Sequence, residues 1–332
     1  VKESQVSTAL QLLAEGNTVP FIARYRKEAT GGLDDSQLRT IEERANYLKE
    51  LQERKETILA AIEEQDKLSD ALREQILACE TKARLEDLYL PYKKRRKTKA
   101  DIAREAGLEE LTDKLIADPN AAPEELAQAF TTEGFEDTKK ALDGARAILA
   151  DRFALDADLV GEVRERMFTE GSMGAHVVEG KEAEGAKFKD YFDFNEPFHK
   201  LPSHRILALL RGENEGVLQL QLDAGDDADY EDAIASRFEL DRSSKWLADA
   251  VHWGWRTKLY ISSSLDVRMR LKEIAEEGAL KIFATNLRDV LLAAPAGQRA
   301  TIGLDPGYRN GVKCAVVDKT GKVLDTAIVY PH

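Results

Sequence analysis

A short, strongly basic segment has the clearest potential for chemistry in this sequence. Six of its seven positions carry a cation: Lys93, Lys94, Arg95, Arg96, Lys97 and Lys99. Cations this close repel one another, so we expect the basic segment, residues 93–99, to be exposed and poorly ordered unless anions neutralise it. Nucleic-acid phosphates would do so, with release of counterions. The alternative is a solvated loop that pairs with the protein's own carboxylates. Sequence-specific readout is not indicated, because no side chains are placed to reach base edges.

A second group of cations lies near the start of the chain, in a short predicted helix that Pro20 opens. This N-terminal basic group has three members: Arg24, Arg26 and Lys27. We interpret the apolar residues beside it as core: Phe21, Ile22 and Tyr25. The three cations are further candidates for nucleic-acid contact. The helix before them and the Gly-containing turn give a helix-turn-helix-like start, a shape that ordinary packed hairpins share.

A third segment, residues 245–260, interleaves aromatic rings with cations, an arrangement that can stack bases. It contains three tryptophans: Trp246, Trp253 and Trp255. Trp246, Trp253, Val251 and Leu259 lie where a buried helix places large side chains. Core packing is therefore the favoured interpretation.

Asp305 is the residue that could belong to an active site. It lies at the end of a predicted strand, and Pro306 and Gly307 fit the centre of a type II turn. RNase H-like nucleases use such a carboxylate with others to hold two divalent ions, and actin-like ATPases wrap the same loop around phosphates. Both need further carboxylates or a second phosphate loop, which this sequence does not supply. A metal-dependent nuclease or resolvase using Asp305 is the alternative to a non-enzymatic function.

Other signatures of catalysis and metal binding are absent from the sequence. It contains no P-loop, no H-E-x-x-H, no G-x-S-x-G and no cysteine quartet. Its five histidines form no ligand pattern, and residues 223–232 lack the order of an EF-hand, so we interpret Asp229 as a helix N-cap. These absences favour a scaffold or binding protein with no metal, cofactor or small-molecule ligand.

Composition points to a cytoplasmic protein. Cys79 and Cys314 are the only cysteines, far apart, as suits a reducing compartment. No apolar run reaches the roughly 20 residues of a membrane span. A net charge of −13 argues against coating nucleic acid with the whole surface but permits a local basic patch. The chain opens without Met, so we expect residues before Val1.

Apolar spacing predicts a mainly α protein. A long helix over 34–65 begins at Asp34, with Gln37 completing a capping box. Shorter helices follow to residue 169, then a small β element with a helix, and then helix from Asp229 to about Ala294 with an interruption near Gly278. The last residues read as three strands. We divide the chain into a helical region (1–170), a β element with helices (171–298) and the first strands of an incomplete domain (299–332).

Four stretches of this sequence resemble the bacterial Tex family of transcription accessory proteins: "NTVPFIARYRKEATGGLDD", "KARLEDLYLPYKKRRKTKA", "EGAKFKDYF" and "LLAAPAGQRATIGLDPGYRNGVKCAVVD". The resemblance covers essentially the whole chain. It implies an elongated helical region followed by an RNase H-like α/β domain termed YqgF, a helix-hairpin-helix region and a C-terminal OB-fold domain that binds RNA. It also implies a relation to a eukaryotic transcription elongation factor.

The resemblance sets our functional expectations. The YqgF domain of this family is regarded as inactive, so Asp305 would match the nuclease position without conferring the activity. RNA or DNA would be bound mainly through domains absent from this chain, with the basic segment as an auxiliary phosphate contact, and the transcription machinery is a possible partner. A third hypothesis is a protein-interaction module whose acidic helical faces contact a basic partner.

Overall fold

The computed structural model describes residues 1–294, 297–307 and 311–330. Over these residues the chain is mainly α, with 14 α-helices and six β-strands. Contacts divide it into two units, Val1–Lys272 and Glu273–His332. None of the helices described is long and apolar enough to cross a membrane.

The helices follow the predicted apolar periodicity closely through the first 170 residues. In chain order they are α1 Glu3–Ala14, α2 Val19–Tyr25, α3 Asp35–Glu63, α4 Asp70–Ala78, α5 Lys82–Tyr89, α6 Lys99–Glu105, α7 Leu108–Ala117, α8 Pro123–Gln128, α9 Thr138–Leu155, α10 Ala157–Glu170, α11 Ser203–Asn214, α12 Asp227–Arg237, α13 Lys245–Gly254 and α14 Tyr260–Leu291.

The long helix α3 organises the N-terminal part of the first unit. The Asp34 side chain accepts a hydrogen bond from the Gln37 N–H at 2.8 Å, and the Gln37 side chain accepts one from the Asp34 N–H at 3.1 Å. This confirms the predicted capping box. Helices α1 and α2 pack on the first part of α3 around Ile22 and Leu38. Helices α4 and α5 pack on its second part around Ile58.

Helix α9 is the centre of the next group, in contact with α6, α7, α8 and α13. Its inner face is rich in small residues, which lets neighbouring helices approach closely. Gly144 shows how closely, because a Cβ atom there would lie 2.4 Å from the Leu108 Cδ1 atom. The same helix carries the buried Asp151, which matters for the site described below.

Two antiparallel sheets account for the strands. The first unit holds β1 Ser172–Val177, β2 Asp193–Pro197 and β3 Leu218–Asp223 in the order β2-β1-β3. The second holds β4 Thr301–Gly307, β5 Gly311–Val317 and β6 Val323–Val329 in the order β4-β5-β6. Strands β1 and β3 match the predicted β element. Strand β2 was not predicted, because "DFNEP" has neither clear alternation nor many β-favouring residues.

Three local predictions are wrong. Asp226, not Asp229, caps α12, accepting a hydrogen bond from the Ala228 N–H at 2.9 Å. Helix α14 runs through Gly278: one glycine costs a helix only about 1 kcal/mol, and the Glu277–Lys281 ion pair spans it at 2.7 Å. The interruption lies earlier, between α12 and α13.

The third wrong prediction is the type II turn. Pro306 and Gly307 belong to β4, where they pair with Val312 and Gly311. Proline is tolerated there because β4 is an edge strand, where a missing N–H donor need not break the ladder.

Candidate nucleic-acid interface

The basic segment connects α5 to α6 and is held at both ends. Before it, a 3₁₀ turn spans Leu90–Tyr92, and the Gln65 side chain donates a hydrogen bond to the Tyr92 carbonyl at 2.9 Å. Near its other end, Thr98 of the segment caps α6 and forms a capping box with Asp101. The segment therefore has fixed end points at the end of α3 and the start of α6.

Arg95 anchors the middle of the segment to the protein interior. Its guanidinium donates two hydrogen bonds to the Asp151 carboxylate, at 2.9 and 3.0 Å. Arg104 donates a third at 2.9 Å. The Asp151 side chain is only 1% exposed, whereas that of Arg95 is 36% exposed. One carboxylate on α9 thus holds two arginines in a charge-assisted network.

Burial and charge act in opposite directions on Asp151. Burial alone would raise the pKa of its carboxyl, but the hydrogen bonds and positive charges of Arg95 and Arg104 outweigh it and hold the pKa below its ordinary value. Asp151 is therefore ionised at neutral pH. Removing one partner of a buried ion pair typically costs about 3–5 kcal/mol, so this contact fixes where the segment lies.

Two other cations of the segment form exposed ion pairs. Lys97 Nζ lies 2.7 Å from a Glu105 carboxylate oxygen, and Lys94 Nζ lies 3.7 Å from one of Glu64. Such pairs contribute roughly 0–1 kcal/mol and exchange readily with solvent.

The remaining three cations of the segment are Lys93, Arg96 and Lys99. All are exposed, and none forms an ion pair with a carboxylate in the described part of the chain. We call them the free cations of the segment. Pairing with the protein's own carboxylates, the alternative made from the sequence, is thus observed for Lys94, Arg95 and Lys97. Phosphate contact by the free cations stays a prediction.

The N-terminal basic group lies where α2 ends. Arg24 is in the last turn of α2, Arg26 is its C-cap and Lys27 follows. All three are exposed, and no carboxylate among the residues described here pairs with them. The turn behind them is fixed, since Gln5 of α1 donates a hydrogen bond to the Gly31 carbonyl at 2.9 Å and the buried Thr30 donates one to the Lys27 carbonyl at 3.0 Å.

The interpretation of the neighbouring apolar residues as core is correct only for Ile22. Ile22 is fully buried, but Phe21 is 38% exposed and Tyr25 is 66% exposed. A seven-residue helix such as α2 presents one narrow stripe to α1 and α3, and Ile22 occupies it. Phe21 and Tyr25, one turn apart, lie together on the outer face with ring centroids 5.2 Å apart.

The structure does not bring the two basic regions together. The N-terminal basic group packs beside the start of α3, and the basic segment lies beside its end. A helix of 29 residues is about 43 Å long at 1.5 Å per residue. The two regions are therefore separate surfaces on the first unit.

The tryptophan segment is largely interior. Trp255 is fully buried, stacks on Tyr230 with ring centroids 4.1 Å apart and donates a hydrogen bond to Asp227 at 2.7 Å. Val251 and Leu259 are fully buried, and Trp246 packs against the core that includes Ala147. The core interpretation is confirmed for Val251, Leu259 and Trp246. Trp253 is half-buried, with the Arg146 guanidinium carbon 5.1 Å from its ring centroid.

Asp305 lies in β4, exposed and opposite Lys313 in the sheet register. Within the described ranges, no group of three or more His, Cys, Asp or Glu side chains is placed to hold a metal ion. The match of Asp305 to the nuclease position stays a prediction. The roles of the nine cations as phosphate contacts also stay predictions.

Asp151, which positions the basic segment, was not predicted from the sequence. Its burial could have been predicted, because Asp151 lies in "RAILADRFAL", where alanine and large apolar residues surround it. A carboxylate in such a helix requires a cationic partner when buried. The sequence does not say which cation that is, because Arg95 lies 56 positions away.

Comparisons with known proteins agree with this architecture. Three family models match: a Tex-like protein N-terminal domain over residues 1–63, a Tex central region-like model over 118–283 and a Tex protein YqgF-like domain over 299–332. The central-region model by itself covers half of the chain.

Similar proteins occur in bacteria and animals. "Transcriptional accessory protein Tex" of Neisseria gonorrhoeae is 56% identical over 335 residues, which cover 99% of this chain and 44% of that protein. "Protein YhgF" of Escherichia coli is 51% identical over 344 residues, covering 100% and 44%. "S1 RNA-binding domain-containing protein 1" of Homo sapiens is 30% identical over 338 residues, covering 97% and 34%. The chain spans less than half the length of these relatives, and it belongs to the Tex family.

Proposed function

We propose that this chain is a non-enzymatic scaffold that binds nucleic acid through its phosphates. Six cations would make the contacts: Arg24, Arg26, Lys27, Lys93, Arg96 and Lys99. They lie in two regions on the first unit, one beside each end of α3. The contact is to the backbone and is not specific for base sequence, since phosphate contacts position a nucleic acid without reading it.

One observation carries this proposal. The chain has 61 carboxylate and 48 cationic side chains, yet these six exposed cations form no ion pair among the residues that the structure describes. In an acidic protein, clustered cations without a carboxylate partner leave local positive potential that a polyanion can neutralise. The neighbouring Lys94, Arg95 and Lys97, by contrast, already have partners.

The names of two relatives also support binding to nucleic acid. The human relative is named for an S1 RNA-binding domain and the gonococcal one as a transcriptional accessory protein. We therefore propose RNA as the first partner to test and a cytoplasmic role alongside the transcription machinery. Because the chain spans only 44% of the gonococcal relative, its own contacts would be auxiliary to those of a longer protein.

Salt dependence tests the phosphate contacts. The chain and a variant with all six cations replaced by Gln are titrated with a fluorescent single-stranded RNA at several salt concentrations. Each phosphate contact contributes about 0.7 to the slope of log K against log salt for single strands. We expect the six-Gln variant to have a slope shallower by about 4. An unchanged affinity and slope would contradict the proposal.

Catalysis is tested separately. We expect no cleavage of labelled RNA or DNA when the chain is incubated with Mg²⁺. Mg²⁺-dependent cleavage that is abolished by Asp305→Asn would overturn the non-enzymatic part of the proposal and favour the nuclease alternative. The Asp305→Asn variant is a mild change, because the side chain is exposed in an edge strand.

A further inference from the structure

Two exposed aromatic rings lie beside the N-terminal basic group. Tyr25 is 66% exposed and Phe21 is 38% exposed, although large apolar rings are usually buried. The two rings meet at an angle of 46° with their centroids 5.2 Å apart. The Tyr25 hydroxyl has no hydrogen-bond partner among the described residues. The core beneath α2 is filled by Ile22, so packing within this unit does not account for the pair.

The surroundings of the rings are cationic and concave. The Arg26 guanidinium carbon lies 5.8 Å from the Phe21 ring centroid. An open surface cleft of about 840 Å³ lies beside the Tyr25 ring. It is lined by Arg24, Tyr25, Arg26, Lys27, Glu28, Ala29, Gly31 and Gly32. Three cations and one carboxylate leave this cleft with a net positive charge.

Two glycines form the backbone turn that lines the cleft. Gly31 and Gly32 adopt φ angles of 62° and 91°, which L side chains rarely adopt, and they turn the chain back towards α3. The Thr30 and Gln5 hydrogen bonds described above hold this turn from inside. Binding would therefore require little ordering of the protein backbone, which favours affinity.

We propose that this surface is a stacking site for an unpaired nucleobase of a single-stranded nucleic acid. The base stacks on the ring of Tyr25, supported by Phe21, and the phosphates beside it contact Arg24, Arg26 and Lys27. Every base has a π face, so the site accepts strands without sequence preference. Bases inside a duplex are stacked on each other and cannot enter. This inference rests on the proposed function and adds to it a preference for single strands.

The combination of charge and aromatic rings favours a single-stranded nucleic acid over a peptide. This surface combines the exposed Tyr25 ring and its neighbour Phe21 with an excess of cations, which matches the alternation of bases and phosphates in a single strand. An acidic peptide would satisfy the cations but would leave the exposed rings without a planar partner. Binding of such a peptide in place of RNA is an outcome that the experiment below detects.

Tyr25→Leu tests the inference, because it retains apolar area and removes the ring. Tyr330→Leu is the matched control, since Tyr330 is a tyrosine with 65% exposure in the second unit. Affinities are measured for a 12-nucleotide single-stranded RNA, the same strand with abasic positions, the corresponding duplex and a poly-glutamate peptide. Base stacking on an aromatic ring contributes about 1–3 kcal/mol, which corresponds to a loss of about 5- to 150-fold.

We expect Tyr25→Leu to lose that factor for the intact single strand and to bind the abasic strand and the duplex as the unchanged chain does. Tyr330→Leu should bind all of them as the unchanged chain does. Equal losses on all nucleic acids, no loss on the intact strand, or tighter binding of poly-glutamate than of RNA would overturn the inference. The proposed function fails separately, if the six-Gln variant keeps its affinity while Tyr25→Leu loses it.

Discussion

The two basic regions look alike in sequence and differ in structure. In the basic segment, Arg95 is held by the buried Asp151, and Lys94 and Lys97 pair with exposed carboxylates. In the N-terminal basic group none of the three cations pairs with a described carboxylate. The shorter cluster therefore offers as many free cations as the longer one. Charge density along a sequence measures how many cations are present and not how many are available to a partner.

The comparison also separates two uses of a cation. Arg95 stabilises the position of the segment because its carboxylate partner is buried and accepts two hydrogen bonds from it. Lys93, Arg96 and Lys99 have no such partner and can contact phosphate. The N-terminal basic group needs no arginine anchor, since the buried Ile22 and Thr30 already fix its backbone.

The largest effect is expected at Asp151. Asp151→Asn leaves Arg95 and Arg104 facing a neutral group in a buried site, and we expect the free energy of unfolding to fall by about 3–5 kcal/mol. At the N-terminal basic group, Arg26→Gln should change it by no more than about 0.5 kcal/mol, because surface substitutions rarely do more. Urea unfolding of both variants measures the difference. Equal losses would contradict the distinction between an anchored and a free arginine.

Asp87→Asn is the matched control for that experiment. Asp87 is also buried and pairs with both terminal nitrogens of Arg164, at 2.9 and 2.7 Å, and it makes no ion pair with a cation of the basic segment in the described part of the chain. Asp87→Asn should lower the free energy of unfolding by about as much as Asp151→Asn does. At temperatures where both variants remain folded, only Asp151→Asn should weaken RNA binding, since only Asp151 positions the segment.

A second, smaller effect is expected in acid. The pKa of Asp151 is lowered in the folded state, so its contribution to stability is complete above the unfolded value of about 3.9 and is lost as pH falls through the folded value. The stability difference between the unchanged chain and Asp151→Asn should be constant from pH 5 to 7 and shrink below about pH 4. Urea midpoints across this range test it. A difference that widens in acid would show the opposite sign.

The smallest effect concerns the exposed ion pairs. A double-mutant cycle on Lys97→Ala and Glu105→Ala should give a coupling energy below about 1 kcal/mol. The corresponding cycle on Arg95 and Asp151 should give several times more, because that carboxylate is removed from water. Similar coupling energies in the two cycles would mean that burial does not separate these pairs.

Much of the fold follows from local sequence. Asp34 and Gln37 identify the start of α3, and its apolar stripe identifies the face that packs. Gly321, in the predicted hairpin turn, has the expected left-handed backbone with φ of 86°. These features depend on residues within one or two turns of each other, so periodicity and capping chemistry suffice to predict them.

The site depends on contacts that local sequence does not specify. Whether Arg95 or Arg96 turns inward is decided by Asp151 on α9, 56 positions after Arg95. Whether Phe21 or Ile22 is buried is decided by where α1 and α3 lie, since a helix of seven residues has too few turns to define its inner face. The sequence thus locates both basic regions but does not divide their cations into paired and free.

A matched pair of double variants tests the central claim most directly. Lys93→Gln with Lys99→Gln removes two free lysines, and Lys94→Gln with Lys97→Gln removes two paired ones, from the same segment with the same change in charge. For single-stranded RNA, we expect the first double variant to reduce the slope of log K against log salt by about 1.4. The second should reduce it by less than half as much. Equal reductions, or a larger one for the paired lysines, would contradict the account.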